Sequence, residues 1–439
     1  MTETWRNWSG SQQARPARVV RPGNTGEVAA AVKDAARDGL RLKAVGAGHS
    51  FSPVAVADGV QLRLDRLDAA HTVDAETGLV TVGAGMPLWQ LNPLLAAHGL
   101  ALENMGDIDR QTVSGAISTG THGSGLRFGG IATQVRALEL VLADGSVVTC
   151  SATERPGLFA AARVGLGALG VITRVTLQCV PGYVLHARDA TTPVAETLDR
   201  MHELADTHDH FEFFWFPHSE LTLTRRFRRL PATTPLKPIG ELSRRVDETV
   251  SGLGFEGLNR LGTRFPALVP PITRFAARAM STREWTDLSH RVFASSRDVR
   301  FHEGEFAIPR ERAADALGEL KRWIDTHDEK VSFPLEVRFT AADDIWLSTA
   351  YGRESCYIAF HQYHRMPYDR YFRACEDILA AHGGRPHWGK MHGLDAERLR
   401  PRYERFGDFV ALRDELDPTG LFANPYLDRV LGRAPGATP

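Results

Sequence analysis

Four cysteines in 439 residues (Cys150, Cys179, Cys356 and Cys375) stand far apart, with no C-x-x-C pair and no zinc spacing. A disulfide-stapled scaffold is excluded and no metal ligand set is predicted; reduced, buried thiols are expected. Charge of one sign is also missing: 52 Lys and Arg face 53 Asp and Glu, for a net charge of −1. Without a long basic block, no nucleic-acid partner is expected. The one exception, Arg225-Arg226-Phe227-Arg228-Arg229, reads as a solvated loop or strand edge. No run approaches the roughly 20 apolar residues of a spanning helix. Leu253 to Met280 is moderately apolar but interrupted by Pro266, Pro270, Pro271 and several arginines, and reads as loop and helix. Membrane contact is thus at most peripheral. The N-terminus, Met1 to Trp8, lacks an apolar signal core, so a cytoplasmic location is expected. Internal repeats, a Gly-Lys-Ser/Thr phosphate loop and a G-x-G-x-x-G helix opening are absent too.

What is present is ordinary globular composition, 43% apolar and 24% charged, at a length suited to two or three domains. Two stretches stand out. In Leu42-Lys43-Ala44-Val45-Gly46-Ala47-Gly48-His49-Ser50-Phe51-Ser52-Pro53 a short strand runs into two glycines, and Pro53 stops any helix. Glycines there permit positive φ and leave no Cβ in the way of a ligand, and successive N–H groups can form an anion nest. The second stretch, Thr112 to Gly125, combines hydroxyls with four glycines and lacks the periodicity of a core element. Two side-chain-poor stretches about seventy residues apart suit a long ligand lying against main chain, and a dinucleotide fits that description.

The motifs Val-Gly-Ala-Gly-His-Ser, Asn104-Met105-Gly106-Asp107, Ser114-Gly115-Ala116-Ile117-Ser118-Thr119-Gly120-Thr121-His122-Gly123-Ser124-Gly125 and Gly167-Ala168-Leu169-Gly170-Val171-Ile172-Thr173 resemble the FAD-binding half of the sugar-lactone oxidases. That family (gulonolactone, arabinonolactone and galactonolactone enzymes, with the alditol oxidases close by) belongs to the vanillyl-alcohol-oxidase superfamily. His387-Trp388-Gly389-Lys390 is similar to its His-Trp-x-Lys signature. The resemblance implies an α+β fold. A two-part FAD-binding domain spans 12–182, an α+β cap domain with an antiparallel sheet spans 183–400, and a segment at 401–439 returns to the FAD domain.

The residues in order suit that picture. Asn24 and Thr25 offer caps to a helix carrying Val28, Ala31, Val32 and Ala35, closed near Gly39. Val60 to Leu64 alternates, Glu76-Thr77-Gly78 turns into a strand, and Pro87 starts a helix ending at Gly99. Asp144-Gly145 marks a hairpin between Val135–Leu142 and Val147–Thr149. Leu158–Val164 reads as helix, Val171–Cys179 as strand, and Pro418 to Tyr426 as loop.

From the resemblance, FAD would lie against Val45, Gly46, Ala47, Gly48, His49, Ser50, Gly106, Asp107, Ser114, Gly115, Ser118, Thr119, Thr121, His122, Gly123, Val171, Ile172 and Lys390, with His49 bonded to the flavin. His122 either packs beside the flavin or acts on it directly. In Ser332–Phe339, period two puts Glu336 and Arg338 on one strand face. An exposed pair on an edge strand is the ordinary meaning of E-x-R, worth about 0–1 kcal/mol; the family's Glu-x-Arg faces substrate. Glu336, Arg338 and Lys390 are therefore expected as one catalytic cluster over the flavin, with Asp107 and His361 also reaching substrate. Alditol oxidases carry serine where this chain has Asp107, which favours a lactone over a linear polyol. The resemblance implies oxidation of a secondary alcohol of an aldono-1,4-lactone, with hydride passing to flavin and oxygen or a cytochrome-type acceptor taking the electrons. Gly106, at the family's oxygen-guarding position, points to oxygen; its plainer reading is a turn glycine at positive φ.

Overall fold

The computed structural model describes residues 4–280, 282–295 and 299–437, with the backbone alone at 241–251 and 253. Met1–Glu3 of the polar N-terminus read above, and the Leu253 side chain, lie outside the described residues.

Among the described residues three larger sheets carry the chain, beside two that have only two strands each. The first is parallel, with Val60–Arg63 between Arg18–Val20 and Leu42–Val45. Its connection is the helix Thr25–Arg37, where Asn24 accepts from the Glu27 N–H and Val28, Ala31, Val32 and Ala35 are buried, as their spacing predicts. The central strand does not alternate: Val60, Gln61 and Leu62 are all enclosed, because a central parallel strand is covered on both faces. Pro53, rather than barring helix, opens the 3-10 turn Pro53–Ala55. The second sheet is antiparallel, in the order Val147–Ser151, Val135–Val141, Val171–Gln178, Leu79–Gly83, Ala70–Val73. Its Val135/Val147 hairpin turns at Asp144-Gly145, with Gly145 at φ 77°.

The second glycine stretch, which lacks core periodicity in sequence, contributes to the core nonetheless. Val113–Ser118 is a short helix whose Val113, Ala116 and Ile117 are fully buried, capped by the Thr112 side chain accepting from the Gly115 N–H. Small residues let it sit close to Ala84, whose carbonyl accepts from Ser114 Oγ at 2.8 Å.

The third sheet has eight strands in the order Arg283–Leu288, Tyr183–Pro193, Leu221–Pro231, His210–Trp215, Leu335–Thr340, Ser355–Tyr363, Phe301–Pro309, Arg385–Pro386. Here the basic run proves to be neither loop nor edge: Arg225–Arg229 lie in an interior strand paired on both sides. Residues directly opposite across an antiparallel pair share a face. Arg283, Asp189, Arg225, Glu212 and Arg338 are therefore one row of alternating charge across five strands. Each junction is bonded: Arg283 Nε–Asp189 3.0 Å, Arg225 Nε–Asp189 3.1 Å, Arg225 Nη1–Glu212 3.2 Å, Arg338 Nε–Glu212 3.0 Å.

The tail comes back to the start. The Leu42 N–H donates to Leu421 O, and Lys43 Nζ donates to the carbonyls of Leu166, Gly167 and Phe422. Asn424 Nδ2 reaches the carbonyls of Pro53, Val54 and Val56. The tail is less loop-like than its composition suggests, since Pro425–Leu431 is helical behind an Asn424 cap.

Candidate active site

The loop after Leu42–Val45 is clasped from both sides. Trp8 N–H donates to Gly48 O and Asn7 Nδ2 to Ser50 O, while Phe51 N–H and Ser52 Oγ donate to the carbonyls of Gly389 and Trp388. The first glycine motif and the His-Trp-Gly-Lys motif, far apart in sequence, are thus one piece of structure. Between this loop and Val113–Ser118 runs an open cleft of about 770 Å³ walled by Gly46, Ala47, Gly48, Ser114, Gly115 and Ser118, with Ile172 and Gly170 opposite. Gly46 and Ala47 are exposed, so bare main chain faces the space. A Cβ on Gly46 would stand 2.3 Å from Thr112 Oγ1, and Gly48 has φ 73°. A backbone-and-hydroxyl trough of this kind fits a dinucleotide, whose pyrophosphate takes N–H donors. Lys43 lies on the same wall, its pKa pushed by burial down to about 7 against the pull of Asp417.

At His49, Ser50, Gln111 and Thr119 the cleft opens into a second chamber of about 530 Å³. Its walls include Phe51, Gly106, Asp107, Thr121, His122, Glu305, Arg338, His387 and Lys390. Burial works against the Arg338 charge, but Glu336, Asp107 and Glu212 more than offset it. Asp107 stands 3.5 Å from Nη2, and Glu336 pairs with the same nitrogen from behind. Lys390 belongs to a different group: it pairs with Glu303, which also meets His361 Nε2 at 3.3 Å, and its ammonium lies over the Phe51 ring. The expected single cluster of Glu336, Arg338 and Lys390 is therefore two, because Glu303 and Glu336 stand on different strands, each pairing with its own cation.

Beneath them lies a buried triangle, His122, Glu305 and His387, with ligand atoms within 4.8 Å of one another. Two imidazoles and a carboxylate are metal-ligand types; here His122 and Glu305 meet each other directly. His122 Nδ1 faces Gly123 O at 2.9 Å and Nε2 faces Glu305 Oε1 at 3.1 Å. Burial pushes the Glu305 carboxyl up, yet His122, His387 and Lys390 together hold it below the usual carboxylate range. The His122 ring is stacked on Tyr357, with centroids 3.6 Å apart. His387 accepts the Gly389 N–H on Nδ1, and burial lowers its pKa to about 4, so it is neutral.

Of the residues expected at the site, Val45, Gly123, Val171, Glu336 and His361 do not reach a wall. Val45 and Val171 are core, and Glu336 and His361 stand behind Arg338 and Glu303. Gly123 is needed for close approach, since a Cβ there would be 2.2 Å from Met105 O. Gly106 lacks the positive φ of a turn glycine; its Cβ would stand 3.0 Å from His122 O and 3.4 Å from Thr121 Cγ2. Reading the sequence alone missed Glu303, Glu305, Glu212, Gln111 and Lys43. A signal existed for the first two: glutamates at period two inside the apolar strand Phe301–Pro309 mark a buried, paired acid face.

Two buried histidines, His387 and His210, and the half-buried His392 weaken the fold in acid. Burial lowers His387 to about 4 and His210 and His392 to about 3. Their folded values lie below the ordinary 6.5, so the unfolded chain binds more protons in between, and stability falls as pH drops from about 6.5 toward 3. His210 is held between Ser124 O at 2.6 Å and the Arg229 Nε donor at 3.2 Å. His210→Gln should flatten the dependence of the urea midpoint on pH between 6.5 and 4; an unchanged slope would remove His210 from this account.

Residues 175–430 match the D-arabinono-1,4-lactone oxidase family, and residues 16–151 match the FAD binding domain family. The chain is 44% identical over 432 residues to the L-gulono-1,4-lactone dehydrogenase of Mycobacterium tuberculosis, covering 98% of this chain and 100% of that one. It is 37% identical to the L-gulonolactone oxidase of Mus musculus, with 97% and 98% covered, and 34% identical to the alditol oxidase of a Streptomyces species, with 97% and 98% covered. In fold it is similar to cholesterol oxidase from B. sterolicum, with TM-score 0.82 and 17% identity over 98% of this chain and 97% of that one. The chain thus belongs to the D-arabinono-1,4-lactone oxidase family of FAD-dependent oxidoreductases.

Proposed function

We propose that the protein oxidises a secondary alcohol of an aldono-1,4-lactone of the L-gulono or D-arabinono type. The observation that carries this reading is the pair of cations, Arg338 and Lys390, on the wall of a small chamber that joins the cleft at His49. FAD would be held by the backbone of Gly46–Ser50 and by Ser114, Gly115, Ser118 and Thr119, and when bound it supplies the hydride acceptor. Arg338, locked through Nε by Glu212 and through Nη2 by Glu336 and Asp107, would turn Nη1 to a substrate oxygen. Lys390 offers a second charge to the hydroxyl, favouring its ionisation as hydride leaves the carbon. Asp107 accepts from a lactone hydroxyl. Anaerobic bleaching of the yellow protein by gulono- and arabinono-lactones, with xylitol and sorbitol inert, is the expected result. Bleaching by the polyols alone would make it an alditol oxidase.

His49 lines both spaces, half-buried, with its ring stacked 6.1 Å from Trp8. We assign it as the covalent attachment point. Acid precipitation should leave the yellow colour in the pellet; colour wholly in the supernatant overturns the assignment. No helix among the described residues is long and apolar enough to cross a membrane, and a cytoplasmic enzyme whose membrane contact is at most peripheral is the reading adopted.

Oxygen is the acceptor favoured by Gly106, although a relative named a dehydrogenase keeps a second reading open. A methyl at Gly106 must displace the His122 carbonyl by a few tenths of an ångström. Gly106→Ala should slow air reoxidation of the dithionite-reduced enzyme several-fold. Slow and equal reoxidation in both forms moves the chain to the dehydrogenases.

A further inference from the structure

Each cation on the chamber wall has a carboxylate behind it that does not itself reach the wall. Glu212 and Glu336 back Arg338, and Glu303 backs Lys390. Glu303 is 2% exposed in the strand Phe301–Pro309, directly opposite His361 on the neighbouring strand. It holds the His387-Trp388-Gly389-Lys390 turn twice over. Its carbonyl accepts from the Met391 N–H at 2.9 Å, one residue past the lysine, and its carboxylate pairs with Lys390 Nζ. His361 Nε2 meets the same carboxylate oxygen at 3.3 Å, while Nδ1 of that ring faces Pro334 O at 2.9 Å. The Phe51 ring lies 5.3 Å from the ammonium. A lysine stem is flexible and samples many rotamers; these contacts give the ammonium one place.

The pairing also decides what charge the chamber can receive. Asp107 and Glu305 line it beside Arg338 and Lys390, and Glu305 is held below the usual carboxylate range. Glu303, Glu336 and Glu212, the last shared with Arg225, stand close behind. Carboxylates thus outnumber the lysine and arginine they face. His387, at about 4, adds no charge near neutral pH. An anionic substrate would leave water for a space where both cations are already matched and two acids line the wall. Its desolvation would go uncompensated. A neutral polyhydroxy ring meets no such penalty, because its hydroxyls donate to the acids and accept from the cations.

We propose that Glu303 is a positioning residue that fixes the Lys390 ammonium and cancels its charge, so that the chamber takes a closed lactone and rejects the open-chain aldonate. This assignment rests on the lactone chemistry proposed for the same chamber, and binding is therefore read apart from turnover. The flavin-loaded, oxidised protein is titrated with L-gulonate, the carboxylate formed when the gulonolactone ring opens, and the flavin absorbance is followed. In wild type, gulonate at about ten times the KM of the lactone should neither shift the spectrum nor slow lactone turnover. Glu303→Gln leaves the Lys390 charge unmatched, and gulonate affinity should rise about tenfold or more. Glu303→Asp keeps the charge but draws the carboxylate back by one methylene, so gulonate stays excluded while flavin reduction by lactone slows. Glu303→Gln/Lys390→Gln removes both charges and should exclude gulonate again. Gulonate bound by wild type or by the double variant overturns the proposal. So does a flavin-loaded Glu303→Gln that still excludes gulonate, or a Glu303→Asp that is reduced at the wild-type rate. If Glu303→Gln does not hold flavin, the other three proteins decide. If no lactone reduces the wild-type flavin, the lactone reading fails instead, and the gulonate titrations still test the charge balance.

Discussion

Arg338→Ala should lower the rate of flavin reduction by lactone about 100- to 1,000-fold, the usual consequence of deleting one donor aimed at developing charge. Its geometry makes the loss specific. Glu212 fixes Nε at 3.0 Å and Glu336 backs the fork, so the guanidinium enters the chamber in one orientation. An interaction of this kind is stronger in the transition state than with resting substrate, so kcat and kcat/KM should fall together. Arg338→Lys should recover little, since an ammonium cannot satisfy Glu212 and a substrate oxygen in the same planar fork. Alanine also leaves Glu212, Glu336 and Asp107 without their shared cation, so flavin content and melting temperature belong beside the stopped-flow trace. A fully loaded, stable variant that bleaches at the wild-type rate would make the pair structural.

The largest effect on stability is expected at Arg225. Its guanidinium is 15% exposed between Asp189 at 1% and Glu212 at 7%. Deleting one partner of a buried pair typically costs about 3–5 kcal/mol, because the carboxylates left behind remain out of water. Arg225→Ala should therefore lower the urea midpoint sharply, and adding Asp189→Asn should restore part of the loss, as coupled neighbours do. A shift under about 1 kcal/mol, the size of an exposed pair, would mean that water reaches the row.

The same row explains what reading the sequence could and could not find. The Asn24 cap, the Asp144-Gly145 hairpin and the Gly-x-Gly-His loop were legible because each is written within a few adjacent residues, where turn and cap chemistry act. Arg225–Arg229 was misread because its partners are not local. Asp189 and Glu212 lie 36 and 13 positions away and become neighbours only through strand register. Period two places Glu336 and Arg338 on one face, where the two side chains pair with each other. Which of the two reaches the chamber depends on the Glu212 strand alongside, and sequence spacing carries no information on that. The two-cluster arrangement of the cations follows likewise from Glu303, on a strand that pairs with that of His361.

The strand and loop that wall the cleft rest on a tail made at the other end of synthesis. Asn424 holds Pro53 across 371 positions, which at roughly 5–20 residues per second is about 20–75 seconds of translation. Until then the loop that faces the cofactor has no tail under it: Leu42 lacks its Leu421 partner and Lys43 its Phe422 carbonyl. The packing beneath Leu42–Pro53 is thus completed only when the end of the chain arrives, although the residues that line the cleft are made within its first 172.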